Sequence, residues 1–477
     1  MAFSSAVFLF LFLPAVTLVY FLVPRSANRL RNGVLLLASL GFFCCGGPKS
    51  LCVFGISLIG NYFFGLGINK AGAAKKPLLL LALAANLGLL GFYKYAGFFT
   101  ETLGSLLGLE LAAPAYFLPL GISFYTFQGL SYLLDIYRGR VPAEKSFWRL
   151  ALYQLFFPQL TQGPIIRYET MAPELAGRRE SLEDVFFGFR RFVFGLSKKM
   201  LLANTFGELA GEVFARGFAG LTPGLAWLGA GAYTLQIYFD FSGYSDMAIG
   251  LGRVFGFTIP ENFNYPYAAK SITDFWRRWH ITLSQWFRDY VYIPLGGNRK
   301  GKARQVLNLL VVWGLTGLWH GASWTFVAWG LYFALLLILE KLFLGRLLEK
   351  LWRPLRHAYA LFFIVIGWVI FQSPDFAWLV SCLKAMFTPA PAGVSGGFLY
   401  YLAAQYKPEI IAGLLLCGPF VRNLGRRWEE RAARGNAAGL PGALPAFFSG
   451  ALAILLFLLS LLAVVNTSFS PFLYFQF

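Results

Sequence analysis

The chain has 477 residues, of which 57% are hydrophobic, 18% aromatic and only 13% charged, with a mean hydropathy of +0.60. A soluble domain carries about 25% charged residues, so this composition excludes an ordinary soluble enzyme and points to an all-α polytopic membrane protein. The net charge of +19 would suggest nucleic acid in a soluble protein, but here the basic residues fall in loops between apolar runs, as the positive-inside rule requires, and no nucleic-acid partner is expected.

The first apolar run, LFLPAVTLVYFLV, is followed by Arg25, Arg29 and Arg31 and preceded by nothing basic. A secretory signal has the opposite charge order and a small-residue cleavage site, so this run is expected to be retained. Basic loops at 24–32, 69–77 and 137–149 hold three, three and four cationic residues, whereas the turns at 46–50 and 97–115 hold one and none. Strict alternation places the N-terminus outside and the basic loops in the cytosol. Similar runs, each near the ~20 residues that span a bilayer as a helix, give about ten crossings. The chain reads as one domain: N-terminal spans over 1–120, a catalytic core over 121–343, C-terminal spans over 344–465, and an aromatic tail over 466–477.

Less regular sequence at 147–167, 253–304 and 372–397 must lie in an interface, in a loop or buried in protein. Cys44, Cys45, Cys52, Cys382 and Cys417 lie in or near apolar runs without metal spacing or a disulfide framework, and no metal site is expected. Arg422, Arg426, Arg427, Arg431 and Arg434 mark another cytosolic loop. A last helix over about 444–465 then carries the tail NTSFSPFLYFQF to the extracytoplasmic side.

The densest polar stretch is SITDFWRRWHITLSQWFRDYVYIPLGGNR, Ser271 to Arg299. Ser271 with Asp274 fits a helix-opening box. From Ile272 to Tyr290 apolar and aromatic residues recur as one helical stripe, with Arg277, Arg278, His280 and Arg288 on other faces. Such a helix rests on anionic lipid or offers its arginines to an anionic donor. Downstream, Gln305 to Trp319 has 15 residues, a rise of about 22 Å, short of the ~30 Å hydrocarbon core. A re-entrant segment broken at His320-Gly321, with 322–340 as its exit, places His320 well inside the membrane, where an ionisable residue is a functional candidate by default. Of the three histidines, His357 opens a basic helix start and reads as interfacial and solvated. His280 and His320 are the chemical candidates, because imidazole exchanges a proton near neutral pH.

The segments GISFYTFQGLSYLLDIYRG, FFPQLTQGPIIRY, TLQIYFDFSGYSDMAIGLGRVFGF, ENFNYPYAAKSITDFWRRWHITLSQWFRDYVYIPLGGNR and GLWHGASWTFVAWG resemble the membrane-bound O-acyltransferase (MBOAT) family, in its bacterial alginate O-acetylase-like branch. The resemblance covers most of 121–339 and is looser in the N-terminal third. It implies a ring of helices around a funnel with a thin floor, in the bacterial cytoplasmic membrane. It also implies His320 as the catalytic residue and His280 close to the same site. The implied donor is cytosolic acetyl-CoA, with no bound cofactor; Arg277, Arg278 and Arg288 are candidates for its phosphates because arginine favours such geometry. The implied final acceptor is an exported polysaccharide, reached through a separate extracytoplasmic acetyltransferase. Many such acetylases have a histidine where Phe333 stands. The tail SPFLYFQF resembles the acyl-relay motif of a small partner protein in teichoic-acid D-alanylation systems, which makes Tyr474 a relay candidate. Two alternatives stay open: a D-alanyl or other acyl exporter fed by a carrier protein, and a polysaccharide transporter.

Overall fold

The structure, a computed structural model, describes residues 1–111, 117–390, 396–425, 427, 443–466 and 472–473. Among these, every regular element is helical. The chain divides into two compact units.

The first unit comprises Met1–Phe192, Met247–Pro260 and Arg288–Val291. It holds α1 (Leu13–Leu22), α2 (Asn28–Cys44), α3 (Pro48–Lys70), α4 (Lys75–Leu90), α5 (Ala96–Leu107), α6 (Ile122–Tyr137), α7 (Phe147–Leu155), α8 (Tyr168–Ala176) and the start of α9 (Leu182–Ser197). Prolines at the first turns of α1 and α3 suit positions whose N–H groups have no helical partner. Gly108 ends α5 in the left-handed region at φ 65°. α6 is buried on nearly every face and packs against α3 and α4. Asn86 of α4 donates to Asn61 Oδ1 of α3 at 2.8 Å, the kind of polar bond that joins helices where no water competes.

The second unit comprises Val193–Asp246, Glu261–Phe287 and Tyr292–Phe477. After the end of α9 and a π-helical turn at Lys198–Ala203 come α10 (Asn204–Phe214), α11 (Pro223–Val254, of which the part to Asp246 lies here), α12 (Ile272–Trp276), α13 (Ile281–Phe287), α14 (Lys302–His320) and α15 (Trp324–Leu339). They are followed by α16 (Gly345–Lys350), α17 (Arg353–Gln372), α18 (Phe376–Phe387), α19 (Gly397–Gln405), α20 (Lys407–Leu416) and α21 (Ala443–Asn466). Ser271, Ser323 and Asp375 each accept a backbone N–H at the start of α12, α15 and α18, satisfying donors that a helix leaves open.

The tightest helix pair in this unit is the α14–α15 hairpin. A β-carbon on Gly317 would lie 2.3 Å from the Phe326 carbonyl oxygen, and one on Gly330 would lie 2.2 Å from that of Trp313. The two backbones approach this closely only because both positions are glycine. The hairpin turns at Gly321, as the sequence break at His320-Gly321 predicts.

Five described segments are long and apolar enough to cross a membrane: Pro48–Lys70, Lys75–Leu107, Trp324–Lys350, Arg353–Gln372 and Phe447–Asn466. The last has only 6% of its apolar window buried, so most of its surface faces lipid, while Ser460, 0% exposed, meets the Ser197 hydroxyl at 3.0 Å. The protein is a multi-pass, all-helical membrane protein.

Two expectations change. The single helical stripe over 272–290 is broken: α12 ends at Trp276, and a new helix starts at Ile281. The break lies at His280, which adopts φ 44°, a left-handed conformation that a helix interior does not allow. His357 is half-buried and its Nδ1 bonds the Ala269 carbonyl oxygen at 3.0 Å, so it fastens one segment to another rather than standing in solvent.

Candidate active site

The site lies within the second unit and is built around the α12–α13 break. Glu340, buried, accepts from the backbone N–H groups of Ile272 and Thr273 at 2.6 and 2.8 Å, from the Thr273 hydroxyl at 2.6 Å, and from the Tyr359 phenol at 3.2 Å. A carboxylate is favoured at a helix N-terminus, and this one fixes where α12 begins. Trp279, 1% exposed, packs against Trp368 with ring centroids 4.6 Å apart. The chain then turns through His280. Asn264 N–H donates to Arg278 O, and Ile281 N–H to Asn262 O, so 262–264 runs beside 278–281.

Asn262, 0% exposed, sets the chemistry of His280. Its Oδ1 accepts from Thr282 N–H at 3.2 Å and from the Thr282 hydroxyl at 3.0 Å, and lies 3.3 Å from His280 Nδ1. A backbone amide can only donate, so the side-chain oxygen of Asn262, not its nitrogen, faces this corner. His280 Nδ1 must therefore carry the proton, and the lone pair resides on Nε2. That Nε2 is buried and has no hydrogen-bond partner among the described residues. Burial pushes the imidazole down to about 3, so it is neutral at pH 7 and offers one bare, oriented basic nitrogen.

His320 is the last residue of α14, 4% exposed. Its ring lies edge-on to Trp319, Trp329 and Phe371, with centroids 4.9, 4.9 and 5.2 Å away. Trp319 also meets His280, at 5.7 Å, and Phe241 of α11 closes the other side of His280 at 4.7 Å. The Trp319 ring thus lies beside both imidazoles. A side chain that gains positive charge during proton transfer is favoured at a helix C-terminus, which is where His320 stands. Phe333 is fully buried between Trp276 and Trp313, at 5.0 and 5.9 Å, and completes an aromatic wall.

The arginines divide. Arg278 pairs with Asp274 at 2.8 Å, and exposed Arg277 has no ion-pair or hydrogen-bond partner among the described residues. Arg288 belongs to the first unit, where it pairs with Asp289 at 2.6 Å; Arg167 meets the same carboxylate at 2.6 Å. Tyr474 lies outside the described residues.

Residues 142–382 match the membrane-bound O-acyltransferase family. The whole chain aligns at 40% identity with the whole of a protein of Pseudomonas putida named probable alginate O-acetylase AlgI. The chain belongs to the membrane-bound O-acyltransferase family. A peptidoglycan O-acetyltransferase of Helicobacter pylori is 36% identical over 84% of this chain and 82% of its own length. A teichoic acid D-alanyltransferase of Bacillus subtilis is 29% identical over 54% of this chain and 69% of its own. The protein is an O-acyltransferase.

For this acyltransferase, the quoted motifs contain Asn262 and Asp240 of α11 without marking either as a site residue, and Glu340 lies outside them. Asp240 carried a usable signal, an ionisable residue inside the apolar run YFDFSGYSDM, which marks function by default in a membrane protein. Asn262 carried none, because its partners lie about 20 residues away in sequence.

Proposed function

We propose that this enzyme moves an acetyl group from cytosolic acetyl-CoA across the cytoplasmic membrane for O-acetylation of an exported cell-surface polysaccharide. The observation that carries the reading is the pair of buried imidazoles flanking Trp319, in a chain that aligns end to end with a protein named for polysaccharide O-acetylation. Acetyl-CoA is polyanionic and stays in the cytosol, while its small acyl group passes a thin floor in a funnel of about ten helices, with both termini outside.

In the proposed step the acceptor hydroxyl attacks the thioester carbonyl. A C–O bond forms, the C–S bond breaks, and His320 takes the hydroxyl proton and returns it to the departing thiolate; general-base help of this kind typically contributes 10²–10⁴-fold. His280, beside the same Trp319 ring, is a positioning residue for the site. Tyr474 is the first acceptor, since its phenyl ester remains reactive enough to pass acetyl to a serine or sugar hydroxyl. A separate extracytoplasmic acetyltransferase completes the transfer. Arg277, Arg278 and Arg288 are donor-phosphate candidates; Arg277 is the exposed one without an ion-pair partner among the described residues.

The similarity to a D-alanyltransferase supports a second reading, an acyl exporter fed by a carrier protein. Purified enzyme offered labelled acetyl-CoA or an acylated carrier protein separates the two. The first reading expects one acetyl group on the C-terminal peptide by mass spectrometry, absent in His320→Ala and in Tyr474→Phe. Full turnover in His320→Ala removes the base assignment, and polymer acetylation at the wild-type rate in Tyr474→Phe removes the relay.

A further inference from the structure

The second unit contains an ion pair that the acyl-transfer step does not use. Lys199 Nζ lies 2.7 Å from Asp240 Oδ1, with the two side chains 3% and 1% exposed. Burying both charges is costly and stabilises little unless their remaining hydrogen-bonding capacity is also used. Here it is used by the end of the chain. Leu473 N–H donates to Asp240 Oδ2 at 3.0 Å. The Lys199 ammonium stands 4.8 Å from the centre of the Phe472 ring, within cation–π range. Phe472 is 0% exposed, its ring edge-on to Tyr244 at 5.2 Å.

The register of α11 gives this arrangement a direction. Asp240 and Tyr244, four residues apart, share one face of the helix and hold the tail. Phe241 and Ser245 occupy the adjacent face; Phe241 packs on His280, and the Ser245 hydroxyl accepts from Asn262 at 3.4 Å. One helix thus carries the seat of the tail on one row and the support of His280 on the next.

We infer that Lys199, Asp240 and Tyr244 form a receptor for the chain's own C-terminal segment, with Phe472 as its plug, and that acyl transfer depends on this seat. The second clause rests on the relay reading above. Tyr474 follows Leu473 in the sequence. Phe472 and Leu473 are thereby held by protein groups rather than by lipid.

The test uses full-length enzyme in nanodiscs, treated with a carboxypeptidase and followed by intact mass. Wild type should keep its last residues. Phe472→Ala and Asp240→Asn should lose them at least about tenfold faster, the scale expected for losing a hydrogen bond to a charged group. Phe472→Leu should restore most of the protection. The double variant Lys199→Met, Asp240→Leu guards against failure to fold, since it replaces the buried charges by apolar volume and should also release the tail. In every variant that retains the wild-type melting temperature, acetyl loading of the C-terminal peptide should fall together with protection. Wild-type tails trimmed as fast as those of Phe472→Ala would overturn the receptor, whatever Tyr474→Phe does. A protected tail with full polymer acetylation in Tyr474→Phe would support the receptor and remove only the relay.

Discussion

Replacing Asn262 by aspartate changes one atom of the amide and keeps every acceptor that His280 and Thr282 use. It places a negative charge beside an imidazole that burial holds at about 3. Two opposite charges about 4 Å apart attract by about 4 kcal/mol at an effective dielectric constant near 20. At 1.36 kcal/mol per unit that is about three units, which moves His280 to roughly 6. The wild-type imidazole should therefore stay neutral from pH 5 to 8, protonated on Nδ1 and bare on Nε2. In Asn262→Asp it should titrate with a midpoint near 6, and the acid side of the acyl-transfer profile should change with it. Nitrogen-15 NMR of histidine-labelled enzyme reads the tautomer and the titration directly, alongside a pH–rate profile for each form. A wild-type His280 that is protonated on Nε2, or that titrates near 6.5, would refute the role assigned to Asn262.

Folding stability should also report on His280: the unfolded imidazole binds a proton below about 6.5 while the folded one does not until about 3, so its contribution is complete above pH 6.5 and is lost as pH falls. Between pH 6.5 and 5 that loss is about 2 kcal/mol, and chemical unfolding should show a shallower acid slope in His280→Gln. Gly330→Ala should destabilise by roughly 1–3 kcal/mol, because its β-carbon meets the Trp313 carbonyl oxygen at 2.2 Å. Gly314→Ala, with nothing within 4 Å, should stabilise α14 by up to about 1 kcal/mol; a comparison of melting temperatures checks both. A cysteine at Ala73 should react only with reagents admitted to the cytosol, and one at Ser105 only from outside. Labelling from a single face would overturn the alternation of spans and with it the outer position of the tail.

The sequence by itself determined what local chemistry controls. Apolar runs specify helices that bury their own backbone polar groups. Ser271 and Ser323 specify where α12 and α15 start, since a cap acts within three residues. Gly321 specifies the turn after His320. The motifs around His280 and His320 were legible too, and they led to the right family. What the tertiary structure decided is everything that depends on partners distant in sequence. The aromatic periodicity from Ile272 to Tyr290 favours one unbroken helix, and it loses to Asn262, whose backbone and side chain capture the chain at 280–282. Glu340 became a helix cap and Asp240 a seat for Leu473 only because folding brought them beside backbone N–H groups 68 and 233 residues away. Composition cannot encode such meetings, because a buried carboxylate is tolerable only after its donors have arrived around it.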